Sequence, residues 1–472
     1  MNEKTKNFIK NLNYTVSANF LILGISVILN LVVPKFLGVT GYSYWQLYVF
    51  YSSYVGFFHL GWIDGIYLKL GGKEYEDLDK KNLSTQLYYL FLFELILALL
   101  LIMYTIFFIV DPYRQIIWFA TAFMLIVSNI KNFILYILQA TNRIKEYAKL
   151  SRNDRYLYLI GSVGYLILGG RNPIFLITMD VFTKFIVTVL GLIQIQDIIT
   201  SNRIKFKNIL VDIKENIKIG SNLMFGNIAS MLILGVSRFF VEKKWSIETF
   251  GKLSFALSIS NMFMLFINSI SIVLYPLLRR TNQSNLSNLY IQVRNLFVPF
   301  TLLVLLFFNP LRMLLEWWLP AYKESLFFMG ILFPMIVYEG RVSLLINTYL
   351  KTIREEKVIL ISNIITLAIS FVMASVSVYI FKSVNLTVAT IITSLAIRCL
   401  IAESMLTKIL RINVTKENIF EGILIFIFIM SNIFLTNFES FFVYFIVFVC
   451  YLLFSISKIK NGLTFFYYMI KK

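Results

Sequence analysis

Apolar runs follow one another along almost the whole of this chain. There are about fourteen, near 12–33, 43–63, 84–110, 115–138, 156–170, 174–195, 217–238, 250–276, 294–309, 326–350, 358–380, 386–407, 418–435 and 438–457. A run of about 20 apolar residues matches the roughly 30 Å hydrocarbon core of a bilayer. Inside lipid the backbone must satisfy its own hydrogen bonds, which a helix does within one segment. The expectation is an all-α integral membrane protein of about fourteen transmembrane helices. The residues are 58% hydrophobic and 15% charged, whereas soluble domains carry about 25% charged residues, so a soluble fold would lack a polar surface. The first run follows Lys4, Lys6 and Lys10. It is too long for a signal-peptide core and lacks a small-residue cleavage site, so it is expected to be retained as a helix.

A formal charge of +19 raises the question of a nucleic-acid partner, and its distribution answers against one. About 30 of the 44 Lys and Arg fall in the termini and in alternate loops near 64–83, 139–155, 196–216, 277–293, 351–357 and 408–417. That alternation is the positive-inside pattern, which places both termini in the cytoplasm. The basic balance then serves topology and attraction to anionic membrane lipids. Cys399 and Cys450 both fall in apolar runs, so neither a disulfide framework nor a metal cluster is expected, and no cofactor is implied.

The chain repeats itself. "LQATNRIKEYAKL" at 138–150 has an echo in "LKTIREEKVILIS" at 350–362, at an offset of 212. "KFLGVTGYSYW" at 35–45 and "KKWSIETFGKLSF" at 243–255 each join two apolar runs, at an offset of 208. Two landmarks with one period imply two six-helix repeats, about 1–210 and 211–410, followed by an additional two-helix hairpin at 411–472. Six is even, so the repeats are parallel, related by an axis along the membrane normal, and form two lobes.

These stretches, with "PKFLGVTGYSYWQLYVFYSSYVGFFHLGWIDGIYLKLG" from Pro34 and "KIGSNLMFGNIASMLILGVSRFFVEKKWSIETFGKLSFALSISNMFMLFINSISIVLYPLLRR" from Lys218, resemble the polysaccharide biosynthesis flippases. That family exports O-antigen, capsule or teichoic repeat units and lies within the multidrug/oligosaccharidyl-lipid/polysaccharide exporter superfamily. The resemblance runs over about 1–410. It implies a multi-pass protein of the bacterial cytoplasmic membrane whose two lobes alternate access to a cavity lined by helices one, two, seven and eight. The substrate implied is a lipid-linked oligosaccharide, and the further partners are a coupling ion, H+ or Na+, and the polysaccharide polymerase and glycosyltransferases of the same pathway. Two departures stand out. Many relatives carry Gly where Ser43 stands, and many carry Asp near the end of helix seven where this chain has Ser237 and Arg238.

Helical periodicity marks candidate substrate contacts independently. At 100° per residue, Thr15, Asn19, Ser26 and Asn30 share one face of helix one, and Ser254, Ser258, Asn261 and Asn268 share one face of helix eight. Gly226, Ser230 and Ser237 cluster more loosely on helix seven. Such stripes line a hydrated cavity or act as helix-packing glue. On helix two, Tyr44, Tyr48, Tyr51, Phe58, His59 and Trp62 share a broad aromatic face, suited to stacking on sugars or to ordinary packing. His59, the only histidine, could carry a coupling proton or simply pack.

Ionisable residues inside spans are functional candidates. Glu94 and Lys131 sit at similar predicted depth and are expected to neutralise each other, while Asp180 and Lys184 are expected to pair along one helix face. Arg341 and Arg398 have no acid on their own helix faces: Glu339 is two residues from Arg341, and Glu403 is five from Arg398. With Arg238 and Lys252 near the outer mouth, they are candidate receivers of a pyrophosphate; the structural rivals are inter-helix pairing of Arg341 to Glu94 or Glu403 and plain solvation of the two mouth cations. The expected substrate-binding set is Arg341, Arg398, Arg238, Lys252, Tyr48, Tyr51, Asn19, Asn30, Ser258 and Asn261. No covalent chemistry is expected. A membrane polysaccharide polymerase or ligase should present outer-loop acids, bases or nucleophiles, yet the longest outer loop, near 310–325, has no histidine. A multidrug or other lipid exporter of the same superfamily is the alternative transporter reading.

Overall fold

Capping residues and prolines decide where the helices begin. Asp79, Asp111, Asn172 and Ser383 each accept a hydrogen bond from a backbone N–H in the first turn of the following helix, filling one of the four donors that a helix start leaves open. Pro112 and Pro173 stand at the first helical position after their caps, where a missing N–H costs nothing.

The computed structural model describes the backbone of residues 3–280 and 283–471. In chain order the helices are α1 Glu3–Ser52, α2 Trp62–Leu70, α3 Lys80–Phe108, α4 Pro112–Ala140, α5 Ile144–Ile167, α6 Pro173–Gln194, α7 Gln196–Ile199, α8 Phe206–Lys244, α9 Ile247–Arg280, α10 Gln283–Leu305, α11 Phe308–Trp318, α12 Lys323–Leu332, α13 Met335–Gly340, α14 Thr348–Thr352, α15 Glu356–Ser375, α16 Val384–Leu410, α17 Thr415–Phe434 and α18 Asn437–Lys471. Two π-helical turns, Arg341–Asn347 and Val376–Ile380, continue α13 and α15. Among the described residues ten helices are long and apolar enough to cross a membrane, or eleven if the bent pair Pro320–Leu332 and Met335–Thr352 is one span.

Two compact units emerge, Met1–Ile228 and Ala229–Lys472. The expected boundary near residue 210 falls inside α8, which runs unbroken from Phe206 to Lys244.

The sequence echo has a structural counterpart in each unit. After α4, Asn142 takes a left-handed backbone (φ 58°), and after α14 so does Arg354 (φ 61°). The N–H of Arg143 donates to Leu138 O at 2.8 Å, and that of Glu355 donates to Leu350 O at 2.8 Å. Asn142 N–H reaches Gln139 O and Arg354 N–H reaches Lys351 O. Both turns are Schellman caps closed by the same two hydrogen bonds, and they fall at the offset of 212 that the sequence gives.

The first two expected spans are joined rather than looped. α1 is broken only at Gly38, whose φ of 68° and ψ of −179° suit a residue without Cβ. The second expected span, 43–63, is not continuous either. Helix ends at Ser52, a short 3-10 turn covers Val55–Phe57, and α2 restarts at Trp62 after Leu60 and Gly61, both at positive φ.

Gly61 and Gly65 form a G-x-x-x-G pair on α2, where small residues allow helix backbones to touch. They abut α8 so closely that a Cβ on Gly65 would lie 1.9 Å from Asn216 O, and one on Gly220 would lie 2.0 Å from Gly61 O. Gln86 of α3 locks this crossing: its Oε1 accepts from Trp62 Nε1 (2.7 Å) and from Asn216 Nδ2 (2.8 Å). Below it lies the apolar core of Ile63, Ile66, Leu83, Phe133, Ile137 and Leu138. In the loop after α2, Tyr75 and Lys80 bind Asp197 at 2.7 and 2.8 Å. Burial pushes Asp197 up, but the hydrogen bonds from Lys80 and Tyr75 outweigh it and hold the carboxyl below its usual range.

Candidate functional site

The aromatic face expected on helix two is largely spent inside unit 1, with Phe58 left 46% exposed. Tyr48 is fully buried and donates to Asp180 Oδ2 at 2.7 Å. Tyr51 stacks on Trp118 with ring centroids 4.4 Å apart, and Tyr44 stacks on Tyr113 and donates to Asp111. His59 is buried with Nδ1 accepting from Gly61 N–H, and its Nε2 stands 3.7 Å from Asp64. These rings pack against protein, which is the plainer of the two readings the sequence allows.

The buried charges are redistributed as well. Lys184 pairs with Asp180 at 2.5 Å, as expected of an i, i+4 pair. Lys131, however, pairs with Asp154 of α5 and not with Glu94, so the expected neutralisation of Glu94 does not occur.

Arg341 is the largest correction. Its guanidinium is 1% exposed and bonds to Glu403 of α16, to Glu421 of α17 at 3.0 Å and to Asn418. Arg294 of α10 binds the same acids at 3.1 and 2.8 Å, and Tyr290 donates to Glu403 at 2.7 Å. Two cations and two anions therefore close a neutral buried network, and the uncompensated charge that made Arg341 a substrate candidate is compensated. Glu421 and Arg294 are not among the residues the sequence singles out. Glu421 is an acid inside an expected span, a signal that flags it, but its pairing joins residues 80 positions apart. Lys252 pairs with the exposed Glu324 at 2.5 Å, and Arg238 donates to Ser254 at 3.1 Å while lying over the Phe250 ring. Ser237 hydrogen-bonds with Thr390 at 3.2 Å.

What remains open is one polar surface of unit 2. On α9, Ser258 is partly exposed and Asn261 and Asn268 are exposed. Asn261 stands 14 residues into this 34-residue helix, about 21 Å from its start. A polar side chain facing hydrocarbon is costly, so such a face suits a hydrated surface. Ser343, on the π turn, donates to Asn268 Oδ1 at 2.7 Å. Four residues before it, Glu339 accepts from Arg398 Nη1 at 2.7 Å, and Arg398 also reaches Ser230 of α8 (2.9 Å) and Asn363 of α15 (2.9 Å). The structure thus brings Ser230, Arg398, Glu339 and Asn363 together in one hydrogen-bonded group, and Ser343 with Asn268 in another. In unit 1, Asn30 is partly buried, and the side chain of Asn19 lies outside the described residues. Among the described residues no group of His, Cys, Asp or Glu could hold a metal ion. The expected outer loop near 310–325 is mostly the helix α11 and a short turn.

The strip is equipped to hydrogen-bond. Amides and hydroxyls both donate and accept, matching the hydroxyls of a sugar. No family model and no curated protein matches the sequence. Solved structures do match its fold. A structure titled "Lipid II flippase MurJ, inward closed conformation" aligns with TM-score 0.62 at 13% identity, over 98% of this chain and 100% of that one. An inward-facing multidrug resistance MATE family transporter of the MOP superfamily aligns with TM-score 0.61 at 10% identity, over 84% of this chain and 99% of that one. The fold is the one these transporters share.

Proposed function

We propose that this protein is a flippase that moves polyprenyl-pyrophosphate-linked oligosaccharide repeat units from the inner to the outer leaflet of a bacterial cytoplasmic membrane. The observation that carries this reading is the polar strip of Ser258, Asn261 and Asn268 left open on α9. Sugars would slide along neutral hydrogen-bonding groups while the polyprenyl tail stays in lipid, and the two lobes would alternate access. Fourteen crossings follow if α1 counts as two spans at Gly38, the bent pair Pro320–Leu332 and Met335–Thr352 as one, and α5 and α9 as one each, with both termini in the cytoplasm, repeats at 1–210 and 211–410, and a hairpin at 411–472. A coupling ion and the polymerase and glycosyltransferases of the pathway complete the picture.

The second reading is a multidrug or other lipid exporter, favoured by the equal likeness to the multidrug resistance transporter. Against a cationic cargo, Glu339 is held by Arg398 and offers it no free counter-charge. The test is full-length protein in liposomes loaded with a polyprenyl-pyrophosphate oligosaccharide on one leaflet, read by a membrane-impermeant glycosidase. Appearance of sugar on the far leaflet, reduced several-fold by Asn261→Ala at unchanged abundance, is expected. Transport of a cationic dye with no movement of the glycolipid would overturn it.

A further inference from the structure

Glu94 stands at the midpoint of the 29-residue helix α3, about 21 Å from either end. It is 0% exposed, and it is the one acid among the described residues with no hydrogen-bond partner on either buried carboxyl oxygen. The charged and titratable groups on the elements packed against α3 are engaged elsewhere. On α4, Lys131 binds Asp154 and Tyr136 packs on Tyr67; Arg114, 15 residues from Asn129, lies in the first turn of that helix. Asp197 of α7 holds Lys80 and Tyr75, and Asp212 of α8 accepts from Asn82. Asn129 of α4 stands beside Glu94 without a hydrogen bond to it.

A carboxylate in such a place, without a cation or a donor, takes up a proton rather than remain charged. The neighbour suits that form. Asn129 is itself 0% exposed; its Nδ2 donates to Val55 O at 3.0 Å while its Oδ1 has no partner. A neutral Glu94 brings an O–H to a neighbourhood with an open acceptor; an ionised one brings only further acceptors. Val55 belongs to the break between α1 and α2, the stretch that ends in Gly61 and its backbone contact with Gly220.

We propose that Glu94 is a proton-binding site of unit 1, whose occupancy is read through Asn129 by the broken segment at Val55–Gly61, and that it supplies the coupling proton of the transport cycle. The coupling clause rests on the transport function proposed above; the proton site does not. Release leaves a carboxylate at mid-span, which is tolerated only when water reaches it, so exchange is confined to a conformation that hydrates α3.

The test uses the full-length protein in lipid nanodiscs and N,N′-dicyclohexylcarbodiimide, an apolar reagent that adds to protonated carboxyls, with the adduct mapped by mass spectrometry. Modification of Glu94 that falls as pH is raised and is unaffected by excess sodium is expected. Because a silent site could be merely inaccessible, Glu94→Gln, an isostere of the neutral acid, is measured beside it. It should match wild type in abundance and thermal stability at neutral pH, and in liposomes it should lose at least about ten-fold of the stimulation that a pH gradient gives. Protection by sodium would make the site a cation site, modification that never falls with pH would make Glu94 a fixed structural acid, and a destabilised Glu94→Gln would mean an ionised, paired Glu94. Each would overturn the proposal. Labelling and stability need no substrate, so a protein that labels as expected yet moves no glycolipid would sink the transport reading alone.

Discussion

Replacing Arg341 by methionine keeps an unbranched apolar stem and removes the guanidinium and its charge. In the native network Glu403 receives Arg341, Arg294 and Tyr290, and Glu421 receives both arginines. After the substitution two buried carboxylates, each no more than 2% exposed, share one guanidinium. Breaking a buried pair by removing one partner costs about 3–5 kcal/mol, because the charge left behind is uncompensated. At 1.4 kcal/mol per factor of ten, that is a loss of about two to three and a half decades in the ratio of folded to unfolded protein. Arg341→Lys should fall between, since one ammonium cannot reproduce a fork that reaches two acids and an amide at once.

The informative variant is the neutral double, Arg341→Met with Glu421→Met. It leaves Arg294 facing Glu403 at 3.1 Å, a balanced pair, and should cost at least about 2 kcal/mol less than the sum of the two singles. A charge swap such as Arg341→Glu with Glu403→Arg is not a fair control, because it sets an arginine at 403 against Arg294. The measurements are abundance in membranes and thermal unfolding of the purified full-length protein, followed by export. Should Arg341→Met alone fold with wild-type stability to within about 1 kcal/mol and still fail to export, the network is dispensable and Arg341 belongs to the substrate site after all.

Gly65→Ala should leave little folded protein, since its Cβ would meet the Asn216 carbonyl at 1.9 Å; normal abundance would show that α2 and α8 do not touch there. Tyr48→Phe removes a buried donor to Asp180 and should cost about 1.5–3 kcal/mol, the range of hydrogen bonds to charged groups, with abundance and export falling together; lost export at full stability would restore a sugar contact. Cysteines at Ser201 and at the exposed Lys244, preferred because neighbouring Glu242 is 2% exposed, should label from the cytoplasm and from outside respectively. Labelling of both from one side would break the even-numbered repeat.

What the sequence made legible is what the helix makes periodic. The apolar runs, the echo at 138 and 350 and the pairing of Asp180 with Lys184 all depend on residues within a few turns of one another, and the matching left-handed caps at Asn142 and Arg354 show how far such local signals reach. The G-x-x-x-G of Gly61 and Gly65 was legible in principle, hidden because an aromatic helix seemed to run through it. The charges were not legible. An acid and a base inside a bilayer must find partners, yet the sequence gives only their depth, and several helices pass at each depth. Lys131 has Glu94 at similar depth and chooses Asp154; Arg341 finds its acids on α16 and α17, 62 and 80 residues away. Once every such cation is committed, the membrane imposes its own conclusion on the acid left over. A lone carboxyl at mid-span must be neutral when dry and hydrated when charged, so Glu94 ties proton occupancy to whichever conformation admits water, a link that no inspection of α3 in isolation could supply.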